Sequence, residues 1–481
     1  MVIGSAHGVQ SATHESRVPV NLAILAWIWV SCQTGNMPRL ALRVLAAVVG
    51  TLTLVAGCGG DGGSGAGRRP AGAHVTIGVP ADAPTISDAV SLAHPGDLVL
   101  VAPGVYHESV EIDTARITLR GLSRDKVIID GRLQQPNGVV VSAPGVAVEN
   151  LTVENNTQNG VLVTGSAKAA AGLPGGSGGY DTGDESVTLL KSFLISHVTA
   201  TRNGLYGIYA FSAQNGVIEH SYASGSADSG IYVGQCKPCN IVVRDNVAEL
   251  NAVGYEGTNA SEDMYVVGNR LLGNRVGLTT NSDHQEKLLP QKGSVIAGNL
   301  IAANQQTATP EQADGGWGIG AGIDGGSDNR FIRNRIAGNR NAGLVITATT
   351  DIPPVGNQIV DNTFTGNGVD VGWTFPTATR GRGNCLRGND LRTTVPARLA
   401  TTAACPLPAG SSSPADTWAA PTAPGGIPFT EVAAPAPQPQ FPDAATAGAT
   451  AVPPVPALPK TEGIRLPPAS LLAAYARVQT S

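Results

Sequence analysis

Aromatic residues make up only 4% of the 481 positions and charged residues only 14%. So little charge excludes long solvated helices and coiled coils, which need charged outer faces. Basic excess is also missing: the net charge is -5, so there is no electrostatic footprint for nucleic acid. No apolar run reaches the length of about 18–20 residues that spans a bilayer as a helix. Cysteines number six, too few for a disulfide-built scaffold of this length. Glycine is abundant at 61 residues, which suits short strands joined by tight corners.

Between Asn246 and Asn389 one pattern keeps returning. Asn246-Val-Ala-Glu-Leu-Asn251, Asn269-Arg-Leu-Leu-Gly-Asn274, Asn299-Leu-Ile-Ala-Ala-Asn304, Asn334-Arg-Ile-Ala-Gly-Asn339 and Asn362-Thr-Phe-Thr-Gly-Asn367 each hold two asparagines five apart. Successive first asparagines lie 23, 30, 35, 28 and 27 residues apart, counting the last step to Asn389. β-branched runs such as Ile241-Val-Val243 and Ile359-Val360 precede the copies. Helical repeats would need apolar residues at i, i+3, i+4 and i+7, whereas these units are short β runs broken by Gly and Asn. The pattern predicts stacked β-coils. Stacking at about 4.8 Å lets side-chain amides in register donate to one neighbour and accept from the other. Asn is also expected to take the left-handed backbone that sharp corners require.

The N-terminal stretch reads as an export signal. Met37-Pro-Arg39-Leu-Ala-Leu-Arg43 is a basic n-region and Val44 to Val55 an apolar core, too short to span and suited to a signal peptide. Leu54-Val-Ala-Gly-Cys58 resembles the bacterial lipobox, which implies cleavage before Cys58 and lipidation of its sulfur. The mature protein would then be anchored to a membrane without spanning it, at the outer face of the cytoplasmic membrane or the cell surface. Residues 1–36 are expected to be an upstream extension that is not translated, 37–57 the signal peptide and 58–74 a Gly-rich tether. The coil domain runs over 75–405, followed by a Pro/Ala-rich tail at 406–468 and a C-terminal segment at 469–481. Sixteen of the 33 prolines fall in that tail, which is expected to bury no core and to be disordered or extended.

At the start of the domain, Thr85 is placed to cap a short helix with Ile86, Ala89, Val90 and Ala93 on its apolar face before Pro95-Gly96. Such a helix would cover the open end of the first coil. Asp97-Leu-Val-Leu-Val-Ala-Pro103-Gly-Val-Tyr106-His-Glu108-Ser-Val110, then Ile117-Thr-Leu-Arg-Gly121, resembles the opening of right-handed parallel β-helix proteins of the pectin-lyase-like superfamily. The likeness spans about 75–405 and implies an all-β solenoid with three sheets. Members of that superfamily include lyases, hydrolases, esterases and epimerases of acidic polysaccharides, together with proteins of no known activity, so fold alone selects no function. A Gly-rich excursion from Ala169 to Gly183 interrupts the coils. Cys236-Lys-Pro-Cys239 is expected to staple a corner, and Cys385 and Cys405 to close a loop at the solenoid's end.

Aligning coils on a Gly-aliphatic step places Tyr209, Tyr232, Glu256, Thr279 and Asp324 in one outward column. Tyrosine faces followed by carboxylates suit a groove that stacks on and hydrogen-bonds to sugars. Just beyond, the corners lengthen and gather Glu262, Asp283, His284, Glu286, Lys287 and Asp328. Three readings stand for this cluster. His284 with Lys287 would supply a base and a cation for proton abstraction beside a uronate carboxylate, with Asp283 orienting the ring. Glu262 with Asp283 would act as acid and base on a glycosidic bond. Alternatively, the corner is a solvated loop, able to hold calcium. The expectation is a monomeric, membrane-anchored protein that binds a polysaccharide and processes it as lyase, epimerase or hydrolase without a required cofactor. A non-enzymatic scaffold or adhesin is the competing expectation.

Overall fold

A computed structural model describes residues 74–170, 187–408 and 410–478. The export signal, Cys58, the tether and most of the Gly-rich excursion lie outside these residues. Three sheets run along the molecule, and every ladder between their strands is parallel. Sheet A has twelve strands, from Thr76–Val79 to Cys385–Arg387; sheet B has ten, from Gly104–Tyr106 to Thr363–Thr365; sheet C has eleven, from Val110–Ile112 to Thr394–Val395. The chain visits A, B and C in turn, one coil per circuit, which makes a right-handed parallel β-helix.

Alternation within each strand sends one set of side chains into the prism. In sheet A the inward column reads Val148, Ile195, Ile218, Val243, Val266, Ile296, Phe331, Ile359 and Leu386, all buried. Each such side chain contributes about 1.5–3 kcal/mol by leaving water. At the N-terminal end the helix Ile86–Leu92 buries Ile86, Ala89 and Val90, with the Thr85 side chain accepting the Asp88 amide.

The asparagines form two ladders flanking the short strands of sheet B. Asn246, Asn269, Asn299, Asn334, Asn362 and Asn389 are linked by amide bonds of 3.0 Å each. Asn251, Asn274, Asn304, Asn339 and Asn367 are linked by bonds of 3.0–3.1 Å. Every Oδ1 also accepts the backbone N–H of the preceding asparagine in its ladder, as Asn299 does for Asn269. A third ladder joins Gln291, Asn329, Asn357, Asn384 and Ser413 at the corner between sheets C and A. One expectation needs correcting: the left-handed residue is the one before the asparagine. Asp245, Gly268, Gly298, Arg333, Asp361 and Gly388 all have positive φ, which turns the chain so that the following amide points along the stack.

Cys236 is bonded to Cys239 and Cys385 to Cys405. The proline-rich tail is extended, one of the two expected states, and is laid against the solenoid, which the sequence did not suggest. Trp418 Nε1 donates to Asn341 Oδ1, Val432 is buried, Phe441 N donates to Asn150 Oδ1, and Arg335 Nε donates to Pro467 O. Residues 414–450 run from the last coils back toward the first, and residues 453–467 return along the stack.

Candidate functional site

The outer face of sheet C carries the polar column, with a corrected register. Tyr209, Tyr232, Glu256 and Thr279 are neighbours on successive strands, and the next position is Gly322. Asp324 sits two residues further along, in the column of Gly234, Thr258 and Asn281. The misplacement came from aligning Gly322 with Gly277, whose true partner is Gly320. Both columns face outward, so Asp324 stays on this face.

The column is not an open groove. Tyr209 and Tyr232 are 1% and 2% exposed, Glu286 5% and Asp324 0%. The loop after Val276–Asn281 folds back over the strands and turns Glu286 inward, where Tyr232 Oη donates to its Oε1 at 2.6 Å. That loop is pinned by Asn259, whose amide donates to Asp283 O and accepts the Asp283 N–H. Three donors converge on Glu256: Ser229 Oγ at 2.7 Å, Thr258 Oγ1 at 3.0 Å and Asn281 Nδ2 at 3.1 Å. Tyr206 joins Tyr209 and Tyr232 with ring centroids 4.5 Å from each.

Burial drives the electrostatics. Desolvation raises the Glu286 carboxyl well above its ordinary range, with Asp283 and Glu256 adding to the shift and the Tyr232 hydroxyl opposing it. Burial therefore favours the protonated form of Glu286, close to Glu256 with its three donors. Burial likewise pushes Asp324 up to about 6, helped by Asp314 and Asp283. The Thr349 side chain opposes the shift at Asp324, and the Gln235 backbone opposes that at Glu286.

The other anticipated residues are dispersed. His284 is exposed and its Nε2 lies 2.7 Å from Asp351 Oδ1, on the solvent side of the loop whose inner side carries Glu286. Its contact holds the Asp351 carboxyl below its ordinary value. Lys287 offers its backbone N–H to Gln235 Oε1. Asp283 is buried, and its Oδ1 accepts the Gln285 amide within the turn. Glu262 is exposed at a left-handed corner, and Asp328 is an exposed corner residue 3.4 Å from Lys292. Loop side chains alternate between water and strand here, with His284 exposed and Asp283 and Glu286 buried. The structure gathers Tyr206, Ser229, Thr258 and Asn281 instead. Each lies within three residues of one already singled out in the repeat, which was the available signal.

Fold and site together define a right-handed parallel β-helix protein with a closed polar cluster on one outer face. Residues 191–377 match the family model described as "Periplasmic copper-binding protein (NosD)". Among solved structures, the chain is similar to the A-module of the mannuronan C-5 epimerase AlgE4 from Azotobacter vinelandii (13% identity, 62% of this chain and 87% of that one, TM-score 0.43). It is also similar to the Dettilon tailspike protein (14%, 66% and 67%, 0.44) and to pectate lyase Pel9A (14%, 67% and 78%, 0.41). No curated protein matches in sequence. The architecture stands on this chain's own strand pairing.

Proposed function

We propose that this is an exported β-helix protein, anchored through Cys58, that binds a polysaccharide at the outer face of sheet C and processes it by acid–base chemistry. The observation that carries the reading is the pair of differently held carboxyls: Glu286, buried and bonded to Tyr232, and Glu256, which accepts from three side chains. An acid whose protonated form is favoured by burial, close to a second carboxyl held by side-chain donors, is the kind of pair that protonates a glycosidic oxygen and activates a nucleophile. Tyr206, Tyr209 and Tyr232 pack against one another beneath the covering loop, so on this reading a sugar ring meets their faces only when that loop is displaced. The match to a periplasmic family supports export.

The copper in that family description does not fit the donors seen here. Cys236 and Cys239 are bonded to each other, and Met264 lies in the core. Among the described residues no group of three or more His, Cys, Asp or Glu side chains is arranged to hold a metal ion.

Incubation with a panel of uronans and neutral glycans, read by new reducing or unsaturated ends and by binding, tests the proposal. Wild type is expected to bind and turn over one class, with Glu286→Gln retaining binding and losing at least about 100-fold in turnover, the usual worth of a general acid. Binding without turnover would leave a glycan-binding scaffold. Absence of binding to every glycan would remove both.

A further inference from the structure

The strap formed by residues 414–468 is held in an unusual way. Arg120 donates Nη1 to Ala447 O at 2.7 Å and Nη2 to Gly448 O at 3.0 Å. Arg124 Nη1 reaches Pro439 O at 2.9 Å, and Arg275 Nη1 reaches Pro424 O at 2.8 Å. On the return leg Arg333 Nη1 reaches Thr461 O at 3.0 Å and Ile464 O at 2.9 Å, and Arg335 Nε reaches Pro467 O at 2.8 Å. Five arginines of the solenoid therefore read main-chain carbonyls.

Three of them are set in place by the solenoid itself. Glu149 accepts Arg120 Nε at 2.8 Å in a fully buried pair, Thr199 Oγ1 and Val198 O hold Arg124, and Thr309 Oγ1 accepts Arg275 Nε. Such pre-organisation lowers the ordering cost of binding. The chemistry also matches the occupant. Proline has no N–H, so a proline-rich extended chain offers carbonyls in excess and pairs poorly with a strand edge, which needs donors and acceptors in alternation. Guanidinium is donor-only and complements such a chain.

We propose that this arginine row is a polypeptide-binding track selective for extended proline-rich chains, with residues 414–468 as its tethered, exchangeable ligand. The last cysteine is Cys405, so once the backbone is cut beyond it, only non-covalent contacts retain the strap. The track contacts none of Tyr232, Glu256 and Glu286, so its fate is independent of the glycan reading.

A protease recognition sequence inserted after the exposed Gly410 allows the test in the otherwise full chain. After cleavage the strap should co-elute with the solenoid on size exclusion, and a labelled synthetic peptide of residues 414–468 should exchange in saturably. The same peptide with its prolines changed to alanine should bind at least about tenfold more weakly, and Arg333→Lys with Arg335→Lys should speed release by about tenfold, the scale of a lost charge-assisted hydrogen bond. Separation of the strap on cleavage, no exchange, or equal binding of the alanine peptide would overturn the proposal. The peptide comparison uses wild-type solenoid, so it stands even if the arginine variants fold poorly. Pairing of two cleaved solenoids through one strap would count as exchange with a second copy.

Discussion

Sheet C and the corner ladders beside sheet B are built from the same coils, yet they bury polarity in opposite ways. In the ladders each asparagine amide donates to the asparagine of the following coil and accepts from that of the preceding one, so polar groups are satisfied by repetition. On sheet C, Tyr232, Glu256 and Thr279 follow one another without repeating, and closure depends on a loop that turns Glu286 back onto the face. Repetition stabilises, whereas its interruption leaves buried acids such as Glu286 and Asp324, whose titration burial pushes upward. Buried acids are costly and mark the place where chemistry is worth seeking.

The strongest way to break the contrast is inside a ladder. Asn299→Ala strands the Asn269 N–H and the Val266 carbonyl and is expected to cost about 3–5 kcal/mol at about 1–3 kcal/mol for each orphaned group. Half-buried Asn389, with no following amide, should cost about 1 kcal/mol when changed to Ala; urea melts of the two variants measure the difference. On sheet C, Tyr232→Phe should cost about 1–3 kcal/mol by leaving Glu286 Oε1 without its donor.

Glu286→Gln sharpens the comparison through pH. Because the folded carboxyl titrates well above its ordinary range, the stability it contributes is complete below that range and falls as pH rises toward the folded value. The variant should therefore melt higher than wild type at pH 8, with the gap closing by pH 5. A smaller effect of opposite sense belongs to His197, half-buried against Phe441 of the strap and His220. Burial, then His220 and Arg124, lower it to about 4. Its neutral form contributes stability that is full above about 6.5 and is lost as pH falls toward about 4. His197→Gln should flatten the melting temperature over that window by a degree or two, since solvent screens half of the ring.

The β-helix and two of its ladders were legible because five-residue Asn spacing and coil-length periods are local facts of the sequence. The Gln291–Asn329–Asn357–Asn384 ladder was not, since loops of unequal length separate its members and conceal the period. Tyr209, Tyr232 and Glu256 were found by strand alternation, but their burial was hidden because the covering residue, Glu286, lies 54 positions beyond Tyr232. The docking of the strap was hidden for a similar reason: low hydrophobicity says that 414–468 builds no core, and says nothing of arginines 132 and 328 positions away.

Linear arrays of coils melt from their termini, since each end unit has one neighbour instead of two. By leaving the last coil, reaching the first and coming partway back, the segment from Trp418 to Pro467 gives this array a second route of communication between its extremities. Loss of a terminal coil must then also peel away bonds on coils far from it. Fraying becomes a whole-molecule event, and a protein with the geometry of a spring acquires the cooperativity of a closed loop.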